Sequence, residues 1–254
     1  MDAGETFQFM VDQFHEERPL VAADWRGFGR SQWPAEGYWF PDYLADLDAL
    51  LDLLSPATPA SLIGHSMGGN IAASYAGLRP ERVRCIVNLE GLGLPRTAAE
   101  EAPKRMRKWL DQVKEHPQRK EYASFDEFAA LIRFRYPRFS AATAEFVAAA
   151  WGRADPDGCV RLAGDPRHYW VNPVLYRREE AEACWRETRA PMLLLLGEES
   201  DHLAKLAADG TAAAFHALFP YLEIAHVAGA GHMLHIERPD LVAPLAERFL
   251  GAHE

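Results

Sequence analysis

Cysteine is scarce in this chain of 254 residues, which contains only three, and no two of them form a CxxC pair. Because Cys85, Cys159 and Cys184 are scattered, the sequence predicts neither a disulfide framework nor a zinc site. A chain of this length can bury a substantial core without such cross-links. These features favour a reducing compartment, and we expect a cytoplasmic protein.

Basic residues are also in the minority, since 27 lysines and arginines face 37 acidic residues and give a formal net charge of −10. Affinity for a phosphate backbone comes from cations, so we expect no nucleic-acid partner. The N-terminus lacks the basic and apolar segments of a secretory signal, and the longest apolar runs, such as 192–196, are too short to span a bilayer. We therefore expect no membrane partner.

Short apolar runs alternate with helical patterns along much of the chain. The apolar runs predict five strands, at 19–23, 60–64, 83–89, 191–197 and 222–227, of which those at 19–23 and 83–89 are expected to be buried. The stretches between and after them predict four helices, at 44–54, 70–78, 207–218 and 239–250. This alternation is typical of an α/β fold with a mostly parallel sheet covered by helices.

The strand pattern is interrupted once, where helical patterns dominate around 106–113, 125–134 and 143–151. We predict that residues 1–91 and 187–254 form the α/β core and that residues 92–186 form an inserted helical cap. Residues 96–138 of this cap carry 11 Lys/Arg and seven Asp/Glu, a local charge of +4 in an acidic chain. Such a stretch either attracts an anionic substrate or is a solvated helix face.

A G-x-S-x-G motif occupies residues 64–68, between a predicted strand and a predicted helix, which is the context that this motif requires. Its glycines allow the strained turn that exposes the serine hydroxyl, and the next N–H points toward a developing oxyanion. The pattern predicts that Ser66 is a nucleophile and that Met67 is an oxyanion donor.

A nucleophilic serine needs a base, and His232 ends a Gly-Ala-Gly-His segment that follows the last predicted strand. His226 and His235 are weaker candidates, because one falls inside the strand and the other in the following turn. The spacing of these histidines does not match the HExxH pattern of a metal site. We expect His232 to be the base, with no metal and no organic cofactor.

Three segments together resemble the α/β-hydrolase fold family over nearly the whole chain. They are the G-x-S-x-G motif at 64–68, called the nucleophile elbow in this family, the Gly-Ala-Gly-His232 segment, and Asp24-Trp-Arg-Gly-Phe-Gly-Arg-Ser31. The last of these is similar to the family's D-x-R-G-x-G-x-S turn. Among its subgroups, the chain is most similar to capped hydrolases that include haloalkane dehalogenases and serine hydrolase-like proteins. Dehalogenases and epoxide hydrolases of this type carry aspartate at the elbow. The resemblance therefore implies acyl transfer to water by Ser66.

Two carboxylates are candidates for the acid that orients the histidine. In most of the family the acid lies in a G-x-x-D loop after the next-to-last strand, and Asp201 lies one residue later than that pattern expects. Some capped members carry the acid after the strand that precedes the cap, where this chain has Glu90. An unpartnered carboxylate at the end of a buried strand is costly, and His232 would supply its partner. Glu90 is favoured, and Asp201 stays open.

The resemblance implies a serine hydrolase that cleaves a small-molecule ester or related acyl compound through an acyl-enzyme. Four of the seven tryptophans lie in the cap and either form an apolar or aromatic acyl pocket or pack the cap helices together: Trp109, Trp151, Trp170 and Trp185. Two alternatives remain, namely C–C bond or thioester hydrolysis by the same triad, and a ligand-binding protein of this fold with negligible turnover.

The N-terminus carries one further expectation. Members of the family have a short apolar strand ending in His-Gly, upstream of the region that residues 4–14 resemble, and its loop donates the second oxyanion N–H. This chain starts after that point, so N-terminal strands are expected to be missing, including one between 19–23 and 60–64. The native protein is then expected to carry on the order of 25 further residues.

Overall fold

The computed structural model describes residues 2–115 and 119–254. Their strands are β1 (Ala60–His65), β2 (Val83–Leu89), β3 (Glu121–Tyr122), β4 (Gly152–Ala154), β5 (Val160–Leu162), β6 (Met192–Gly197) and β7 (Leu222–Val227). Their α-helices are α1 (Gln8–Val11), α2 (Phe40–Leu54), α3 (Met67–Leu78), α4 (Ala102–Lys114), α5 (Phe125–Arg135), α6 (Ala141–Trp151), α7 (Arg178–Arg186), α8 (His202–Lys205), α9 (Ala212–His216), α10 (Leu234–Glu237) and α11 (Pro239–Gly251).

The chain divides into two compact units, each built from discontinuous segments. The first unit consists of Met1–Phe9, Arg18–Phe40 and Glu100–Val174, and the second of Met10–Glu17, Pro41–Ala99 and Leu175–Glu254. The segment predicted as the cap contributes its middle part to the first unit and its two ends to the second. The division into core and cap at residues 92 and 186 stays a prediction.

The second unit contains a four-stranded sheet in the order β1-β2-β6-β7, and all of its ladders are parallel. This confirms the predicted mostly parallel sheet flanked by helices. The apolar residues of β2 and β6 are buried, as expected of central strands covered on both faces. Because the strands are parallel, their carboxyl ends meet at one edge, where catalytic loops of such sheets lie.

Helices of the second unit complete this core. Leu51 of α2 and Tyr75 of α3 belong to the same buried cluster as the strand side chains. Trp185 of α7 is only 2% exposed, packs beside Phe219, and donates its indole N–H to the Ser74 hydroxyl at 3.1 Å. Of the four tryptophans considered for a substrate pocket, Trp185 is therefore a core residue.

The predicted strand at 19–23 is wrong. These residues form no strand, and none of the described residues pairs with them in a ladder. Leu20 and Val21 are 43% and 68% exposed. An apolar run becomes a strand only where a neighbouring strand satisfies its backbone groups, and β1 is the last strand on its side of the described sheet.

Two further predictions need correction. The predicted insert is not purely helical, because β3, β5 and β4 form a small antiparallel sheet whose strands are too short to show an alternating pattern. The predicted helix at 207–218 is broken into a 3₁₀ turn, Ala207–Gly210, and α9. The hydroxyl of Thr211 accepts a hydrogen bond from the Ala214 N–H at 3.1 Å and so begins a new helix.

The first unit contains a buried polar cluster around Asp165, which is 1% exposed. Its carboxylate accepts hydrogen bonds from the Tyr38 hydroxyl at 2.7 Å and from the Arg167 guanidinium at 2.6 and 2.9 Å. The imidazole of His168 lies between the rings of Phe28 and Tyr38, with centroid distances of 4.0 and 3.7 Å. Burial in this aromatic stack lowers the pKa of His168 to about 4.

This shift predicts a loss of stability in mild acid. In the unfolded chain His168 binds a proton near pH 6.5, whereas in the folded chain it stays neutral until about pH 4. Between these pH values protonation favours the unfolded chain, so the free energy of unfolding falls as pH falls. Between pH 7 and pH 5 we expect His168 to reduce the free energy of unfolding by about 2 kcal/mol. Urea unfolding at pH 7 and at pH 5 measures this change in the free energy of unfolding.

A variant that keeps the stack but cannot be protonated supplies the control. His168→Phe should lose about 2 kcal/mol less than the parent over this pH range, whereas His216→Gln, at an exposed position of α9, should behave like the parent. Equal acid sensitivity of the parent and His168→Phe would refute the assignment.

No described helix combines the length and the apolar composition needed to cross a membrane.

Candidate active site

The serine of the G-x-S-x-G motif lies in a strained turn between β1 and α3. Ser66 has φ 52° and ψ −113°, a left-handed conformation that is costly for any residue other than glycine. Its N–H donates to the Leu89 carbonyl at 2.8 Å, and its own carbonyl accepts the Asn70 N–H at 3.1 Å. These bonds hold the turn between the sheet and the first turn of α3.

Glycine is required at two positions around this turn because backbone segments pass very close to each other. A Cβ at Gly64 would lie 2.5 Å from the carbonyl carbon of Gly68. A Cβ at Gly69 would lie 2.4 Å from the side-chain oxygen of Asn88 and 3.0 Å from the Gly64 carbonyl oxygen. Any larger residue would displace the segment that holds Ser66.

Glu90 is placed by a second strained turn, at the carboxyl end of β2. Its φ is 55°, and the residue is 3% exposed. The buried Asn88 side chain spans the turn, because its amide donates to the Gly91 carbonyl at 3.1 Å and its oxygen accepts the Gly91 N–H at 2.7 Å. Two non-glycine residues with positive φ thus lie at the carboxyl ends of the neighbouring strands β1 and β2.

The Glu90 carboxylate receives hydrogen bonds on both oxygens. The Gly197 N–H donates to Oε1 at 2.9 Å, and the Ser200 hydroxyl donates to Oε2 at 2.7 Å. His232 Nδ1 lies 2.7 Å from the same Oε2. The carboxylate is therefore fixed from the end of β6 and faces one imidazole nitrogen of His232.

The loop that carries His232 is anchored on both sides. The Glu237 carboxylate accepts the Gly231 N–H at 2.5 Å, and the Arg238 guanidinium donates to the Ala228 carbonyl at 2.9 Å. The imidazole of His65 contacts the His232 carbonyl oxygen at 2.8 Å. Because His65 directly precedes the nucleophile candidate, this contact joins the histidine loop to the elbow.

The imidazole of His202 lies against the imidazole of His232. The ring of His202 stacks on that of His232 with a centroid distance of 3.8 Å and an angle of 11°. Burial and the neighbouring His232 lower the pKa of His202, so its ring is neutral at pH 7.

Glu90, His202 and His232 each place a ligand atom within 4.8 Å of the others and could hold a metal ion. Both Glu90 oxygens already accept hydrogen bonds, an arrangement suited to orienting an imidazole.

The other candidate residues lie elsewhere. The side chain of Asp201 is 74% exposed and pairs with Lys205 at 2.9 Å, which lowers the pKa of the carboxyl. The structure therefore brings Glu90, and not Asp201, into contact with His232. His226 is exposed on β7, and His235 is buried in α10, so its predicted position in a turn is wrong.

Sequence reasoning missed the residues that support the pair. Ser200 had a detectable signal, because it lies three residues after Gly197, where the G-x-x-D pattern of most family members has the acid. His202 and Glu237 had none, since their roles depend on a ring stack and on a backbone contact.

Met67 begins α3 and, as the first helical residue, has no intrahelical partner for its N–H.

The parallel sheet carries at its carboxyl edge a serine elbow and a buried carboxylate that is paired with a half-buried histidine. These features define a hydrolase-type α/β protein. Residues 4–239 match the family model described as alpha/beta hydrolase fold. The chain belongs to the alpha/beta hydrolase family.

Known relatives are similar over nearly the whole chain. A serine hydrolase-like protein of Danio rerio is 25% identical over 98% of this chain and 78% of its own length. A 2-(acetamidomethylene)succinate hydrolase of Mesorhizobium japonicum is 26% identical over 97% of this chain and 83% of its own. The crystal structure of a hypothetical protein of Pseudomonas aeruginosa PAO1 is 26% identical, with a TM-score of 0.84 over 98% of this chain and 88% of the other.

Proposed function

We propose that this protein is a serine hydrolase that cleaves a small ester or related acyl compound through an acyl-enzyme. The observation that carries the proposal is the 2.7 Å contact between the buried Glu90 carboxylate and His232 Nδ1. A carboxylate on Nδ1 leaves Nε2 as the nitrogen that can accept a proton. The histidine loop also contacts the residue before Ser66.

In the proposed reaction Ser66 attacks the substrate carbonyl while His232 Nε2 takes the hydroxyl proton. Glu90 holds the imidazole in the correct tautomer and stabilises the imidazolium that forms. The N–H of Met67 donates to the tetrahedral oxyanion, aided by the N-terminal dipole of α3. The imidazolium then protonates the leaving group, and water releases the acyl group by the reverse sequence with Ser66 restored.

The substrate is proposed to be a small molecule with an apolar or aromatic acyl group. Hydrolysis of a thioester or a C–C bond uses the same nucleophile and base, so both are alternatives within the mechanism. The name of the Mesorhizobium relative indicates an acylated dicarboxylate as the substrate of that protein, and an anionic acyl compound therefore belongs in any substrate panel.

Active-site labelling distinguishes an enzyme from a ligand-binding protein. We expect a fluorophosphonate to label Ser66 rapidly, because the base makes the hydroxyl nucleophilic, and mass spectrometry of the digest identifies the modified peptide. His232→Gln should slow the labelling at least about tenfold by removing the base. His216→Gln, at an exposed position, should label at the parent rate.

A panel of aryl esters, thioesters, vinylogous diketones and an anionic acyl compound then separates the alternatives by their kcat/KM values. Absence of labelling, together with ligand-induced shifts in melting temperature, would favour the binding protein and refute the proposed hydrolysis.

A further inference from the structure

Helix α4 of the first unit presents an apolar row that the described residues leave partly exposed. None of its 13 residues is buried. Met106, Leu110 and Val113 are 49%, 51% and 46% exposed. Their spacing of four and three residues aligns them on one face of the helix.

The other side of α4 is strongly basic. Four exposed cations lie on this helix, with Asp111 as its single acidic residue: Lys104, Arg107, Lys108 and Lys114. At 100° per residue, Arg107 and Lys114 flank the apolar row on one side, and Lys104 and Lys108 lie on the opposite face of the helix. This charge contrasts with the net charge of −10 of the whole chain.

Polar contacts attach one edge of α4 within its unit and leave the apolar row uncovered. The Gln112 side-chain oxygen accepts the Val171 N–H at 2.9 Å, and the Arg105 guanidinium reaches the Asn172 carbonyl at 3.5 Å. A helix of this length is marginal without packing of an apolar face. The row formed by Met106, Leu110 and Val113 is therefore a surface that is suited to binding another molecule.

We propose that α4 docks this protein on an anionic phospholipid surface, lying parallel to the bilayer with Met106, Leu110 and Val113 inserted among the acyl chains. An apolar row flanked by lysines and arginines on a helix of low overall hydrophobicity is the pattern of interfacial helices. An acidic protein would satisfy the cations but need not cover the apolar row, whereas an anionic bilayer satisfies both along the whole helix.

This inference goes beyond the proposed hydrolysis and does not depend on it. It also revises the expectation of no membrane partner, which rested on the lack of a spanning segment. A helix that lies in the interface needs no such segment. Several basic side chains and a short apolar row together give reversible binding, so the protein is expected to exchange between solution and the lipid surface.

Vesicle flotation of the full chain tests the proposal. Binding to phosphatidylcholine vesicles containing phosphatidylglycerol is expected to exceed binding to pure phosphatidylcholine at least about tenfold and to weaken at high salt. The double variant Arg107→Glu/Lys114→Glu should abolish the preference for anionic lipid. Leu110→Gln should weaken binding several-fold while leaving the salt dependence in place.

Matched controls keep the result interpretable. Arg248→Glu reverses an exposed charge on α11, and Leu53→Ser removes an apolar side chain that is 77% exposed on α2. Both should bind vesicles like the parent, and circular dichroism should show that all variants are folded. If Leu110→Gln does not fold, Met106→Gln tests the same row.

Three outcomes would overturn the proposal: equal binding to neutral and anionic vesicles, binding to neither, or binding unaffected by substitutions on α4. Sedimentation equilibrium provides a further check. A dimer of the parent that the Leu110→Gln variant converts to a monomer would show that a second copy, and not lipid, covers the row.

Discussion

Replacing Ser66 by alanine is expected to lower kcat/KM for any ester substrate by about a thousandfold or more, because the attacking oxygen is lost while the oxyanion donor and binding groups remain. Alanine has the same difficulty as serine at φ 52°, so the folded structure and its thermal stability should change little. Steady-state hydrolysis and thermal unfolding of purified parent and variant measure both. Activity within tenfold of the parent would contradict a serine nucleophile.

Ser66→Gly is the informative companion variant. Glycine adopts positive φ without strain, so this variant should be more stable than Ser66→Ala by about 1 kcal/mol while being equally inactive. Such a result would show that the elbow stores strain in order to present the hydroxyl. Equal stabilities of the two variants would show that the turn at position 66 stores no such strain.

The second large effect is expected at Glu90. Glu90→Gln preserves the shape of the side chain but removes the charge that stabilises the imidazolium, and we expect kcat to fall about 100-fold to 10,000-fold. Asp201→Asn is the matched control, because Asp201 is exposed and paired with Lys205, and its kcat should stay within about threefold of the parent. A larger loss in Asp201→Asn than in Glu90→Gln would transfer the role of the acid to Asp201.

Geometry also suggests a rescue of the Glu90 variant. The Ser200 hydroxyl contacts the same Glu90 oxygen as His232 Nδ1, both at 2.7 Å. A carboxylate at position 200 can therefore reach the imidazole, and Glu90→Gln/Ser200→Asp is expected to recover about tenfold or more of the lost kcat. Ser200→Asp alone places two carboxylates side by side in a buried site and should be less active and less stable than the parent.

Recovery in the double variant would separate the acid's chemical role from a purely structural one. A variant that lost activity because its loop had collapsed would not regain it when a charge was added nearby. No recovery, together with a melting temperature equal to that of the parent, would show that position 200 cannot orient the imidazole. The rates of both variants should therefore be compared at matched fractions of folded protein.

The sequence by itself determined the parts of this protein that depend on local pattern. β2, β6 and β7 are apolar runs, and α2, α3 and α11 follow clear helical patterns, so their positions could be predicted within a few residues. The G-x-S-x-G motif placed Ser66 in the turn between a strand and a helix, because only glycine permits the close backbone contacts found at Gly64.

Only the tertiary structure decided the features that depend on a partner distant in sequence. Glu90 and Asp201 both follow predicted strands in the sequence, and the choice between them depends on a contact of Glu90 with a residue 142 positions away. The apolar run at 19–23 is a good strand pattern, but it pairs with no strand among the described residues, and strand pairing is not encoded locally. Local patterns thus determined most of the longer elements of this protein, whereas long-range contacts decided which strands pair and which of its polar residues meet.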